Sequence, residues 1–132
     1  MSATTDEKLV LIVDDDPDFL EQHKLLLEGA GMQVITANGS EEARSVLQTH
    51  HPVLAIVDLM MEVDDAGFIL CRHIKQTYPD LPVILVTAVT SETGFEFSVG
   101  SEGERAWIKA DAVLAKPIRF EQLRREMDRL LG

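Results

Sequence analysis

Cysteine occurs once in this chain, at Cys71. A lone cysteine excludes a disulfide within the chain and fits a reducing compartment. It falls in the helical pattern Phe68, Ile69, Cys71, Ile74 and is expected as ordinary core packing. Positive charge is scarce: 12 Lys and Arg stand against 23 Asp and Glu, a formal net charge of −11. Affinity for nucleic acid comes largely from Lys and Arg on phosphates, so direct DNA binding is not expected. Aromatic residues make up only 5% of the chain, and no basic patch interleaved with aromatics occurs. No apolar run approaches the roughly 20 residues that span a bilayer, and Met1–Lys8 lacks the basic and apolar segments of a signal peptide. A cytoplasmic protein with no membrane insertion is expected.

What is present is 132 residues, 45% hydrophobic and 27% charged, enough for one globular domain with its own core. The apolar run Leu9 to Val13 stops at Asp14-Asp15-Asp16-Pro17 and reads as a buried strand. Asp16 then Pro17 is a good helix start, a side-chain cap followed by a residue of fixed φ. The stripe Phe19, Leu20, His23, Leu26, Leu27 and Ala30 has helical spacing, and Gly29 or Gly31 can end it. Met32 to Ala37 reads as a second strand. A helix starting in Asn38-Gly39-Ser40-Glu41 carries Ala43, Val46 and Leu47 and stops before Pro52.

A third strand, from Val53, ends at Asp58, and a third helix closes before Pro79. Pro82 to Thr87 is a fourth strand. The stretch from Ala88 to Gly100 shows no clear period, although Phe95, Phe97 and Val99 alternate with polar residues. Ser101-Glu102-Gly103-Glu104 has the capping-box pattern and predicts a helix to about Lys109. Ala112 to Ala115 is a short fifth strand ending at Lys116-Pro117, and a final helix carries Phe120, Leu123, Met127 and Leu130. Five strands alternating with five helices imply an α/β fold with a parallel sheet covered on both faces. The flavodoxin-like doubly wound order 2-1-3-4-5 is the most economical topology. The expected organisation is a tail over 1–8 and one domain over 9–132, with no room for an output domain.

In such a sheet every strand points its C-terminal end to one edge, where ligands bind at the topological switch point. The polar strand ends are Asp14 and Asp15, Asp58, Thr87 and Lys116. Three carboxylates brought together repel unless a cation offsets them. Oxygen ligands suit a hard divalent ion, and Mg²⁺ takes one or two carboxylates plus waters and phosphate oxygens. Lys116 supplies a point charge and Thr87 a hydroxyl donor. A cation, a hydroxyl, an ammonium and a spare carboxylate as nucleophile are the parts that place a transferring phosphoryl group. Taken singly, Thr87 and Lys116 read as solvated strand ends, and Asp16 as a cap. The joint pattern carries the argument.

Across nearly its whole length the chain resembles the receiver domain of two-component response regulators. The residues that carry the resemblance are Leu11-Ile12-Val13-Asp14-Asp15-Asp16-Pro17, Asp58-Leu59-Met60-Met61, Val86-Thr87-Ala88 and Lys116-Pro117. The resemblance implies that Asp58 accepts a phosphoryl group from a phosphohistidine on a sensor histidine kinase or histidine phosphotransfer protein. It implies Mg²⁺ held by Asp15, Asp58 and the Met60 backbone carbonyl, with Asp14 acting through water. Thr87 would move toward the phosphoryl oxygens and Lys116 pair with them. The 89–115 region would carry the phosphorylation-dependent surface for a downstream protein partner. The family often has a cis peptide before the proline matching Pro117, in keeping with the low cost of cis at X-Pro bonds.

The chain departs from the family in three places. The loop after the acceptor reads Glu62-Val63-Asp64-Asp65-Ala66-Gly67, without the usual proline and with extra acids. Val113 stands at the position of the family's switch aromatic. The segment between Thr87 and Lys116 is several residues longer than usual, and the insertion at 88–100 is read as the replacement responsive element. Met60 and Val89, which flank the path of an attacking water, are apolar, so a long-lived aspartyl phosphate is expected. The expected function is therefore a single-domain response regulator that signals through protein contacts or phosphorelay. It assists its own phosphorylation and dephosphorylation but turns over no separate substrate. Two rivals stand beside this: a degenerate receiver acting as a binding module, and a Mg²⁺-dependent aspartyl phosphohydrolase. The second lacks a general acid two residues after the nucleophile, where Met60 stands.

Overall fold

A computed structural model describes residues 8–58, 66–87, 111–116 and 118–131. Its sheet has five parallel strands: β1 (Leu9–Val13), β2 (Gln33–Ala37), β3 (Leu54–Asp58), β4 (Val83–Thr87) and β5 (Ala112–Ala115). Their order is β2-β1-β3-β4-β5, as expected from the sequence. The three inner strands, β1, β3 and β4, are buried at every position. Continuous apolar runs are what burial on both faces demands.

Alternate residues serve opposite faces. Leu11, Val13, Ala55, Val57, Val83 and Leu85 join one core cluster, with Ala43 and Leu47 of α2 (Ser40–Thr49) and Leu70, Cys71 and Ile74 of α3 (Ala66–Thr77). Val10, Ile12, Leu54, Ile56, Ile84 and Val86 join the other, with Leu20 and Leu27 of α1 (Pro17–Gly29) and Leu123 and Met127 of α4 (Phe120–Leu131). Val113 is partly buried against the α2–α3 cluster.

Local chemistry sets the ends of α1. The Asp16 carboxylate accepts a hydrogen bond from the Asp18 backbone N–H at 3.0 Å, and Pro17 opens the first turn. At the far end the Met32 N–H reaches the Leu27 carbonyl and the Gly31 N–H the Glu28 carbonyl, both at 3.0 Å. That is a Schellman closure, and Gly31 takes its left-handed position with φ 93°. Met32, expected in β2, is used instead to close the helix, and the strand starts one residue later at Gln33.

The helical stripes need correction at their edges. Leu26 is 45% exposed and Ile69 58% exposed, and Ala30 faces solvent. Leu27, already expected in its stripe, and Leu70, which was not, face inward and are both fully buried. Four helices occur among the described residues. The helix expected over 101–109, the 88–100 insertion, Met60, Val89 and Pro117 lie outside them. Of the loop expected after Asp58, Ala66-Gly67 already belongs to α3, and its earlier residues lie outside the described set.

Candidate functional site

The strand register decides which side chains meet. Val13 is level with Val57, so Asp14, the next residue, falls beside Asp58. Asp58 is level with Val86, and Thr87 with Ala115, which brings Thr87 and Lys116 to the same C-terminal edge. Two backbone hydrogen bonds hold these ends in place: Asp14 N–H to the Ala37 carbonyl at 3.1 Å, and Lys116 N–H to the Thr87 carbonyl at 2.8 Å. All five residues singled out at strand ends therefore converge.

They are not solvated strand ends. Asp14 is fully buried, Asp58 and Thr87 are nearly so, and only Asp15 is exposed. Each of Asp14, Asp15 and Asp58 offers a carboxylate oxygen within 4.8 Å of the others. Asp14 is fixed from two sides: one oxygen accepts the Asp16 N–H at 2.9 Å, the other the Lys116 ammonium at 3.1 Å. Lys116 Nζ also lies 3.6 Å from an Asp58 oxygen. Burial alone would lower the Lys116 pKa. The hydrogen bond to Asp14 and the charges of Asp58 and Asp14 outweigh burial and raise it. The ammonium therefore stays charged across the physiological range.

Among the described residues, three carboxylates and the Lys116 ammonium meet here. Desolvating such a group is costly unless a further cation joins it. Hard oxygen donors this close together suit a divalent ion of the Mg²⁺ kind, and the residues present fit it.

Sequence reading missed one neighbour. The Lys116 ammonium sits 4.5 Å from the centroid of the Phe19 ring. Phe19 had been assigned only to the apolar stripe of α1, and it does pack against the core there. The helical cap at Asp16 puts it over the sheet edge as well. An aromatic in an apolar stripe carries no local signal of a partner far along the chain.

The chain is similar to known proteins in sequence and in fold. A family model described as the response regulator receiver domain matches residues 10–128. The heme response regulator HssR of Staphylococcus saprophyticus is 36% identical over 114 residues, covering 86% of this chain and 46% of that protein. The alkaline phosphatase synthesis transcriptional regulatory protein PhoP of Bacillus subtilis is 32% identical, covering 83% of this chain and 42% of that protein. The chain thus spans about half the length of these curated relatives. Among solved structures, a CheY-like receiver domain protein from Methanospirillum hungatei superposes with a TM-score of 0.79 at 26% identity, covering 94% of this chain and 93% of that one. The response regulator TrrA of Thermotoga maritima, in complex with Mg²⁺ and BeF, superposes with a TM-score of 0.76 at 26% identity, covering 93% and 98%. The receiver fold is a signalling module, and an acidic pocket at this sheet edge is where receiver domains bind Mg²⁺. By sequence match, strand order and structural likeness alike, the chain belongs to the response regulator receiver domain family.

Proposed function

We propose that this receiver domain is a phosphorylation switch with Asp58 as the acceptor. The observation that carries the reading is the carboxylate cluster at the sheet edge: three carboxylates with oxygens within 4.8 Å of one another, with the Lys116 ammonium 3.1 Å from Asp14. Asp15, Asp58 and the Met60 backbone carbonyl would hold Mg²⁺, with Asp14 acting through water. When bound, the ion offsets the charge of the acids and of the incoming phosphoryl oxygens.

The donor is a phosphohistidine on a sensor histidine kinase or histidine phosphotransfer protein. An Asp58 carboxylate oxygen attacks phosphorus, the P–N bond breaks, and its electron pair stays on the imidazole. The product is an acyl phosphate. The Thr87 hydroxyl donates to its oxygens and the Lys116 ammonium pairs with them. New negative charge on Asp58 draws Lys116 away from Asp14, so the ion pairs are redistributed.

The module works as a cytoplasmic regulator. It signals through a protein partner meeting the 89–115 region, or relays the phosphoryl group onward, without binding DNA itself. The receiver domain spans 9–132. With Val113 in place of an aromatic, the 88–100 insertion is the responsive element. Intact-mass spectrometry after incubation with acetyl phosphate and Mg²⁺ tests the core of this reading. Wild type should gain one phosphoryl group and Asp58→Asn none. A wild type that stays unmodified with every donor would favour a constitutive binding module instead.

A further inference from the structure

Lys116 carries a four-carbon flexible stem, and a receiving ammonium must be held where the phosphoryl group arrives. Two of its neighbours are carboxylates, Asp14 at 3.1 Å and Asp58 at 3.6 Å. Both belong to the cluster that a divalent ion would occupy, so metal binding competes for them. The third neighbour is different. The Phe19 ring, 4.5 Å away at its centroid, is neutral, cannot ligate a hard cation, and attracts an ammonium through its quadrupole.

We infer that Phe19 is a positioning residue: its ring face seats the Lys116 ammonium over the acceptor site while metal and phosphoryl group claim the carboxylates. This rests on the proposed function above. The ring is itself braced. It stacks on His23 with centroids 4.0 Å apart and planes inclined by 26°. The nearly buried His23 ring is anchored in turn through Nδ1, 2.9 Å from the Phe19 carbonyl. The Asp16 cap and Pro17 fix the first turn, which carries Phe19, and His23 follows one turn later. A ring serving only as core filler needs apolar volume. A seat needs the aromatic face, and this difference can be measured.

The test uses the whole chain with Phe19→Leu, which keeps apolar volume, and Phe19→Tyr, which keeps the face. In metal-free protein, amine labelling of Lys116 is read by peptide mass spectrometry against exposed Lys8 as internal reference. Phe19→Leu should raise the relative rate roughly threefold to tenfold, the span expected of a partly desolvated cation–π contact. Phe19→Tyr should stay within about twofold of wild type, since the contact is retained. In a second arm, the rate of phosphorylation by acetyl phosphate with Mg²⁺ should fall by a similar factor for Phe19→Leu. In a Lys116→Met background the same substitution should change the residual rate by less than about twofold, because a coupled pair is not additive. Equal losses in both backgrounds, or unchanged Lys116 labelling, would overturn the inference. If wild type takes up no phosphoryl group at all, the proposed function falls, and the labelling arm still decides whether Phe19 seats Lys116.

Discussion

The two ends of the sheet use the same kinds of side chain to opposite effect. At the N-terminal edge the Asp111 carboxylate accepts from the Val83 N–H at 2.8 Å and from Lys75 at 3.0 Å. Lys75 also donates to the Leu81 carbonyl at 3.1 Å, and Arg129 donates to the Asp111 carbonyl at 3.1 Å. The acid there meets one cationic side chain and a backbone donor, while Arg129 binds its backbone carbonyl, so folding satisfies it. At the C-terminal edge, among the described residues, three acids cluster around one ammonium. Acids gathered this closely mark where a hard cation fits. Balanced charge marks a joint.

The widest gap between the two ends should appear on removing an acid from each. Asp58→Asn should abolish phosphorylation, yet in Mg²⁺-free buffer raise unfolding stability by about 1 kcal/mol, because repulsion from two acids exceeds the attraction lost from Lys116. Asp111→Ala should do the reverse. It should cost about 2 kcal/mol, the scale of a charge-assisted hydrogen bond with its exposed share discounted, and leave phosphorylation within about twofold, since it lies outside the site. Urea unfolding with acetyl phosphate labelling checks both. Loss of stability in both variants would break the comparison.

Mg²⁺ sharpens it by a smaller step. At about ten times its dissociation constant the ion should add about 1.4 kcal/mol to wild type and to Asp111→Ala, and much less to Asp58→Asn or Asp14→Asn. Equal gains in all four would put the ion elsewhere. The smallest effect concerns Cys71, fully buried beneath the sheet. Burial, with the Asp111 charge adding and Lys75 opposing, pushes its pKa from 9.0 up to about 12. The folded thiol holds its proton after the unfolded one has lost it. Its contribution to stability should therefore decline as pH rises above about 9, and continue falling toward about 12. Native alkylation at pH 8 should be slow and become rapid only on unfolding; fast native alkylation would contradict the assignment to the core.

What could be read from the sequence follows from where the chemistry is local. Strand ends were legible because an apolar run that stops at an acid, a threonine or a lysine leaves that residue at the sheet edge, and parallel order then gathers Asp14, Asp15, Asp58, Thr87 and Lys116. Helix faces were less legible. Leu26 beside Leu27, and Ile69 beside Leu70, satisfy the same helical period within one residue. Only packing shows that the second of each pair faces the core. Contacts between distant segments were not legible at all. Lys75 and Asp111 lie 36 positions apart, and nothing in either neighbourhood announces the other. The Phe19–Lys116 contact escaped for the same reason: an aromatic in an apolar stripe has a sufficient explanation already.

Borohydride trapping of the phosphorylated protein tests the central claim most directly, because it reduces an acyl phosphate to the corresponding alcohol at the residue that bears it. After incubation with acetyl phosphate and Mg²⁺, peptide mass spectrometry should find homoserine at position 58. The same product at Asp14 or Asp15, or at no residue, would contradict the account.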